Sequence, residues 1–154
     1  MAPIVRLFFA TFVALLLPLG LAGCGNSLSV QGNAMAPSIK NGQTVSYDPN
    51  AYSSASPKRS DVVVVKWNGA LRILRVIGLP GETVSIMGGS VYIDGSQLSE
   101  PYLAAGTVTD SPTPSFQVPP SAYFLLTDNR SRDGDSRDAL GFVNRSQLLG
   151  KVNL

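Results

Sequence analysis

The sequence predicts an all-β fold, a small barrel or sandwich, behind an N-terminal hydrophobic helix. Three observations carry this reading. Short runs rich in Val, Ile and Leu recur along the chain, each about a strand in length. Tight-turn dipeptides such as Gly88-Gly89 and Asp94-Gly95 separate several of them. The 15 Gly and 11 Pro among 154 residues favour turns and short strands over long helices. The length suits one domain with a modest core, and no internal repeat is visible.

The N-terminus differs from the rest. Met1 to Arg6 holds one positive charge, and Leu7 to Ala22 holds none while being dominated by Leu, Phe, Ala and Val. Such a stretch is a signal h-region or a short transmembrane helix. Arg6 on its N-terminal side places the remainder of the chain outside the cytoplasm. Leu21-Ala22-Gly23-Cys24 is similar to the lipobox of bacterial lipoproteins, which implies lipidation of Cys24. The alternative is an uncleaved anchor ending in Gly-Cys. Either arrangement tethers the domain to the outer face of a membrane. The expected division is a signal or anchor over 1–23, a polar tether over 24–29, and a β domain over 30–154.

Within that domain, Asp61 to Trp67 is a β-branched run whose lack of alternation predicts burial on both faces. Leu71 to Ile77 is a second strand, stopped by Gly78-Leu79-Pro80-Gly81. Thr83 to Met87 and Val91 to Ile93 flank Gly88-Gly89 as a hairpin, and Asp94-Gly95 makes the next turn. Ser111 to Pro120 holds four prolines and is expected to be a loop. Ala122 to Leu126 is a further buried strand.

Composition excludes several chemistries. With 12 Lys and Arg against 10 Asp and Glu, the net charge of +2 implies no nucleic-acid partner. There is no histidine, so neither a Ser-His-Asp triad nor a His-ligated zinc site can form. Cys24 is the only cysteine, which excludes an internal disulfide and any Cys-x-x-Cys motif. Asp128, Asp133, Asp135 and Asp138 do not follow EF-hand spacing, and the interleaved Arg130, Arg132 and Arg137 offer ion pairs instead. No metal or cofactor is expected.

Five segments, in this order, resemble the bacterial signal peptidase I family, serine peptidases that use a Ser/Lys dyad. Gly32-Asn33-Ala34-Met35-Ala36-Pro37-Ser38-Ile39 is similar to the family's nucleophile segment. Lys58-Arg59-Ser60-Asp61-Val62-Val63-Val64 is similar to its next strand. Arg75-Val76-Ile77-Gly78-Leu79-Pro80-Gly81-Glu82 resembles the segment that usually opens with Lys-Arg. Val91-Tyr92-Ile93-Asp94-Gly95 with Glu100-Pro101-Tyr102-Leu103 resembles a linker hairpin. Thr127-Asp128-Asn129-Arg130 with Asp135-Ser136-Arg137 resembles the last signature, so the likeness runs from about Val30 to the C-terminus. In this family a loop serine attacks the scissile carbonyl, and a lysine buried enough to lose its proton serves as base.

The departures fall on the chemistry. The resemblance places Ala34 at the nucleophile position and Leu74 at the base position. It places Asp133 where a serine supports the lysine, and Gly32 where some members carry a hydroxyl for the oxyanion. Losing a nucleophile or base costs about a million-fold in turnover in a comparable hydrolase. The implied protein is therefore a catalytically inactive relative. Met35, Ile39 and Ile73 match the peptide groove, and the edge beside Leu71 to Ile73 could pair with an extended peptide. Arg75 and Asp128 match a family salt bridge, and Arg130, Asp135 and Arg137 would pin the surrounding loops. Expected partners are exported or membrane-anchored polypeptides with signal-peptide-like segments, or an active signal peptidase. Two alternatives stand beside this. One is an endopeptidase with a rearranged dyad drawn from Ser38 and Lys40, and the other is a scaffold lipoprotein that binds nothing in the groove.

Overall fold

Four consecutive valines, Val62 to Val65, leave a strand no face for water, and each is at most 2% exposed. The chain meets that demand by packing a separate core against each side of this strand. The computed structural model describes residues 26–111 and 114–154. The hydrophobic segment and the lipobox-like motif with Cys24 lie outside the described residues. Among the described residues no helix is long and apolar enough to cross a membrane.

The strands are β1 (Asn26–Ser29), β2 (Thr44–Asp48), β3 (Val62–Trp67), β4 (Ala70–Gly78), β5 (Thr83–Met87) and β6 (Ser90–Ile93). They continue as β7 (Ser96–Gln97), β8 (Ser115–Gln117), β9 (Ala122–Leu126), β10 (Val143–Asn144) and β11 (Leu148–Val152). A single 3₁₀ turn, Arg145–Gln147, precedes β11. One antiparallel sheet has the order β1-β2-β11-β3-β4-β9-β10, and a smaller one has the order β7-β6-β5-β8. The fold is thus all-β, as the sequence predicts.

Local chemistry explains the turns. Gly88 and Gly89 both take positive φ, 56° and 78°, which the two-residue hairpin between β5 and β6 requires. Asp94 and Gly95 repeat this at 48° and 82° between β6 and β7. Two expectations need correction. Residues 26–29 are not tether: they form β1, with Asn26 opposite Tyr47 and Ser29 opposite Thr44. Cross-strand pairing, with Asn26 Nδ2 donating to the Tyr47 hydroxyl at 3.2 Å, outweighs the polar composition of that stretch. The proline-rich loop also contains β8, because Ser115 to Gln117 falls between its prolines and adds an edge strand to β5.

Alternation assigns each strand to two cores. Val63 and Val65 pack with Leu74, Val76, Tyr123 and Leu125 on one face of the large sheet. Val62 and Val64 pack on the other with Val45, Val152, Met35 and Ile39. Further along that face, Ile77, Phe124 and Leu126 meet Val84, Ile86, Val91 and Val118, which joins the two sheets. Asp61, just ahead of β3, accepts from the Tyr52 hydroxyl at 2.9 Å, the Lys58 N–H at 3.0 Å and Lys151 Nζ at 2.6 Å. Burial works to raise its pKa, but these bonds outweigh burial and hold it below the ordinary carboxylate value. The same burial, with the Asp61 bond, pushes the Tyr52 hydroxyl upwards.

Two outcomes follow from this packing. A Cβ on Gly78 would lie 2.5 Å from Val84 Cγ2 and 2.9 Å from Phe124 Cβ, at the junction of the two sheets. Gly78→Ala is expected to lower stability by about 1–3 kcal/mol in urea unfolding, as overpacking does. Asp61 has a depressed folded pKa, so its contribution is complete above the unfolded carboxylate value and fades as pH falls through the folded one. Unfolding midpoints from pH 6 down to pH 2 should fall more steeply for the parent than for Asp61→Asn.

Candidate functional site

The loop after β1 is fastened at both ends. Val30 N–H donates to the Gln43 carbonyl at 2.8 Å, Gly42 N–H returns a bond to Val30 at 2.8 Å, and Ile39 N–H reaches the Met35 carbonyl at 2.8 Å. Met35, 2% exposed, and Ile39, fully buried, plug the core beneath. These anchors hold Ala34 at the surface of a cleft of about 250 Å³. One wall of the cleft is Leu28 to Gln31, and another is Ala70 to Leu74 of β4. Thr127, Asp133 and Gly134 also line it.

Both walls expose backbone. β4 pairs with β3 from Ala70 to Arg75, whereas its pairing with β9 begins only at Arg75. The second edge of Ala70 to Leu74 therefore has no strand partner among the described residues. β1 pairs with β2 alone. In a flat sheet β1 and β4 would lie four strand spacings apart, about 19 Å. Both line one cleft, so the sheet curls into a barrel with an open seam.

A buried ion pair fixes this geometry. Arg75 Nε donates to Asp128 Oδ1 at 2.7 Å and Nη2 to Oδ2 at 2.6 Å, while Nη1 reaches the Ser60 carbonyl at 2.9 Å. Ser38 Oγ donates to Asp128 Oδ2 at 2.5 Å and accepts from Arg75 Nη2 at 3.1 Å. The Tyr102 ring lies 4.0 Å from the Arg75 guanidinium. Burial first, and Glu100 next to it, push the Tyr102 hydroxyl pKa upwards. Next to Asp128, Asn129 N–H donates to the Ala34 carbonyl at 2.9 Å. Arg130 reaches Thr127, Thr109 and Glu100, and Asp135 takes Thr127 Oγ1 at 3.0 Å and Arg137 Nη2 at 2.9 Å.

The positions marked by the sequence separate clearly. Ala34, Leu74 and Asp133 line the cleft together, with Leu74 only 1% exposed. Met35 and Ile73 line it as well, but Ile39 belongs wholly to the core. Ser38 is committed to Asp128, and no lysine amine among the described residues bonds a serine or threonine hydroxyl; the amine of Lys151 goes to Asp61. The sequence motifs do not single out Leu28 or Arg72, which also line the cleft. For Arg72 the available signal is one charge inside an otherwise apolar strand end, Ala70-Leu71-Arg72-Ile73-Leu74.

Removing one member of a buried pair strands the other. Arg75→Met is expected to cost about 3–5 kcal/mol in chemical unfolding. Ser38→Ala, which removes the bonds of one hydroxyl to Asp128 and Arg75, should cost about 2 kcal/mol. Equal stability of Arg75→Met and the parent would show that the pair does not hold the fold.

The same fold and residue pattern occur in known proteins. The family model described as "Signal peptidase, peptidase S26" matches residues 3–154. A signal peptidase I of Bacillus amyloliquefaciens is 34% identical over 130 residues, covering 79% of this chain and 70% of the relative. Signal peptidase I S of Bacillus subtilis (strain 168) is 34% identical over 131 residues, covering 79% and 71%. A crystal structure of a signal peptidase I from Enterococcus faecalis V583 superposes with a TM-score of 0.55 at 36% identity, covering 64% of this chain and 97% of that one. With sequence and fold in agreement over this length, the chain belongs to the signal peptidase S26 family.

Proposed function

We propose that this signal peptidase I-like domain holds an extended segment of an exported or membrane-anchored polypeptide in its cleft and does not cleave it. The observation behind this is the open seam. Two backbone edges without a strand partner on that side among the described residues, Leu28 to Gln31 and Ala70 to Leu74, line the cleft, while the side chains at the two family positions are a methyl and an isobutyl group. The Ala34 N–H donates to nothing among the described residues, so a peptide carbonyl can be received there. Apolar Leu28, Met35, Ile73 and Leu74 suit small or aliphatic side chains.

Residual hydrolysis from binding and a lone N–H donor falls short of a useful rate, since loss of a nucleophile or base removes about six orders of magnitude in turnover. A rearranged dyad finds no support in the geometry. Ser38 Oγ is held by Asp128 and Arg75, and the exposed Lys40 makes no side-chain bond among the described residues. In this reading the N-terminal segment with Cys24 tethers the domain on the extracytoplasmic face, where passing polypeptides or an active peptidase would meet the cleft.

Trp67, the sole tryptophan, borders the cleft residue Arg72 and supplies a signal. Titrating the full chain in detergent with a small-x-small signal peptide should give a saturable change in Trp67 fluorescence and no cleavage product by mass spectrometry. Absence of binding removes the proposal. Cleavage that vanishes in Ser38→Ala would replace it with the enzyme reading.

A further inference from the structure

The strand end Ala70 to Leu74 carries one charge, and the fold brings it into the cleft. The Arg72 guanidinium lies over the Trp67 ring, 4.7 Å from its centroid. Nη1 approaches the Gly134 carbonyl at 3.5 Å, the outer limit of a hydrogen bond. A Cβ on Gly134 would sit 2.2 Å from that nitrogen, so the missing side chain at 134 is what admits the guanidinium. Arg72 Nε is buried and has no acceptor among the described residues. Nη2 makes no bond among the described residues either. Asp133 lines the same cleft, yet no ion pair forms between it and Arg72.

Three residues further along β4, Arg75 shows what that edge of a guanidinium does when occupied: its Nε and Nη2 grip both oxygens of Asp128. Arg72 carries the same kind of edge with Nε and Nη2 unbonded among the described residues, and the residue lines the cleft. A buried cationic N–H without an acceptor calls for a partner from outside the chain.

We infer that Arg72 is a specificity residue that selects, on the polypeptide held in the cleft, a carboxylate gripped by its guanidinium. This rests on the polypeptide-binding reading above. The carboxylate comes from an acidic side chain or from a free C-terminus, since both offer the same two oxygens.

The test uses the full chain in detergent and calorimetric titration with synthetic octapeptides of Val, Ala and Ser. One is capped at both ends, one has a free C-terminal carboxylate, and a set carries a single Glu at successive positions. The expected result is that at least one carboxylate peptide binds the parent about tenfold tighter than the capped neutral one, as a charge-assisted pair allows. That ratio should fall to near one in Arg72→Gln and largely collapse in Arg72→Lys, which keeps charge but lacks the paired edge. The free-acid and Glu arms identify the source of the carboxylate. Binding of the neutral peptide with no gain from any carboxylate, or a gain that persists in Arg72→Gln, overturns the inference and leaves the polypeptide-binding reading intact. If no peptide binds, that reading fails and this one falls with it.

Discussion

The bidentate contact between Arg75 and Asp128 joins three parts of the chain that are distant in sequence. Arg75 belongs to β4, Asp128 follows β9, and Ser38, bonded to both, ends the loop that carries Ala34. The pair is almost fully withdrawn from water, so its desolvation must be met by bonds on all sides. It is: Ser60 takes the third guanidinium nitrogen and Tyr102 covers its face. The Asn129 bond to the Ala34 carbonyl then carries this fixed point to the cleft.

None of these contacts uses the side chain at the nucleophile or base position; Ala34 takes part only through its backbone carbonyl. That separation explains how a peptidase scaffold persists with an alanine and a leucine at those places. The loop keeps its course because Met35 and Ile39 are buried and Ser38 is tied down, not because a dyad forms. Leu74 is stabilised by packing among Tyr52, Val63, Val65 and Leu125, where an amine would have been costly. Leu74 lies in the core, Ala34 lies at the cleft surface, and neither side chain carries a polar group that the surroundings must satisfy.

Much of the fold was legible where local rules and tertiary demands agree. The valine run predicts a strand covered on both faces, and Gly88-Gly89 and Asp94-Gly95 locate both tight turns, because steric limits on φ act within a few residues. Asn26 to Ser29 escaped because their strand character comes from pairing with Thr44 to Tyr47, which no local pattern encodes. The ion pair was legible only through family likeness; nothing in the spacing of Arg75 and Asp128 announces a contact across 53 positions. Ile39 shows the reverse limit, since a match to a groove position cannot say whether the side chain points outward or into the core. Arg72 had no motif to mark it, and its meaning emerges only from Trp67, Gly134 and an orphan nitrogen meeting in space.

The incomplete closure of the large sheet has a further consequence. A bare strand edge ordinarily invites fibril growth or dimer formation, and proteins blunt such edges with charge, proline or short length. Here two bare edges, Leu28 to Gln31 and Ala70 to Leu74, line one cleft. A neighbouring molecule that paired with either would have to enter that cleft, and crowding there works against edge-to-edge growth at this seam.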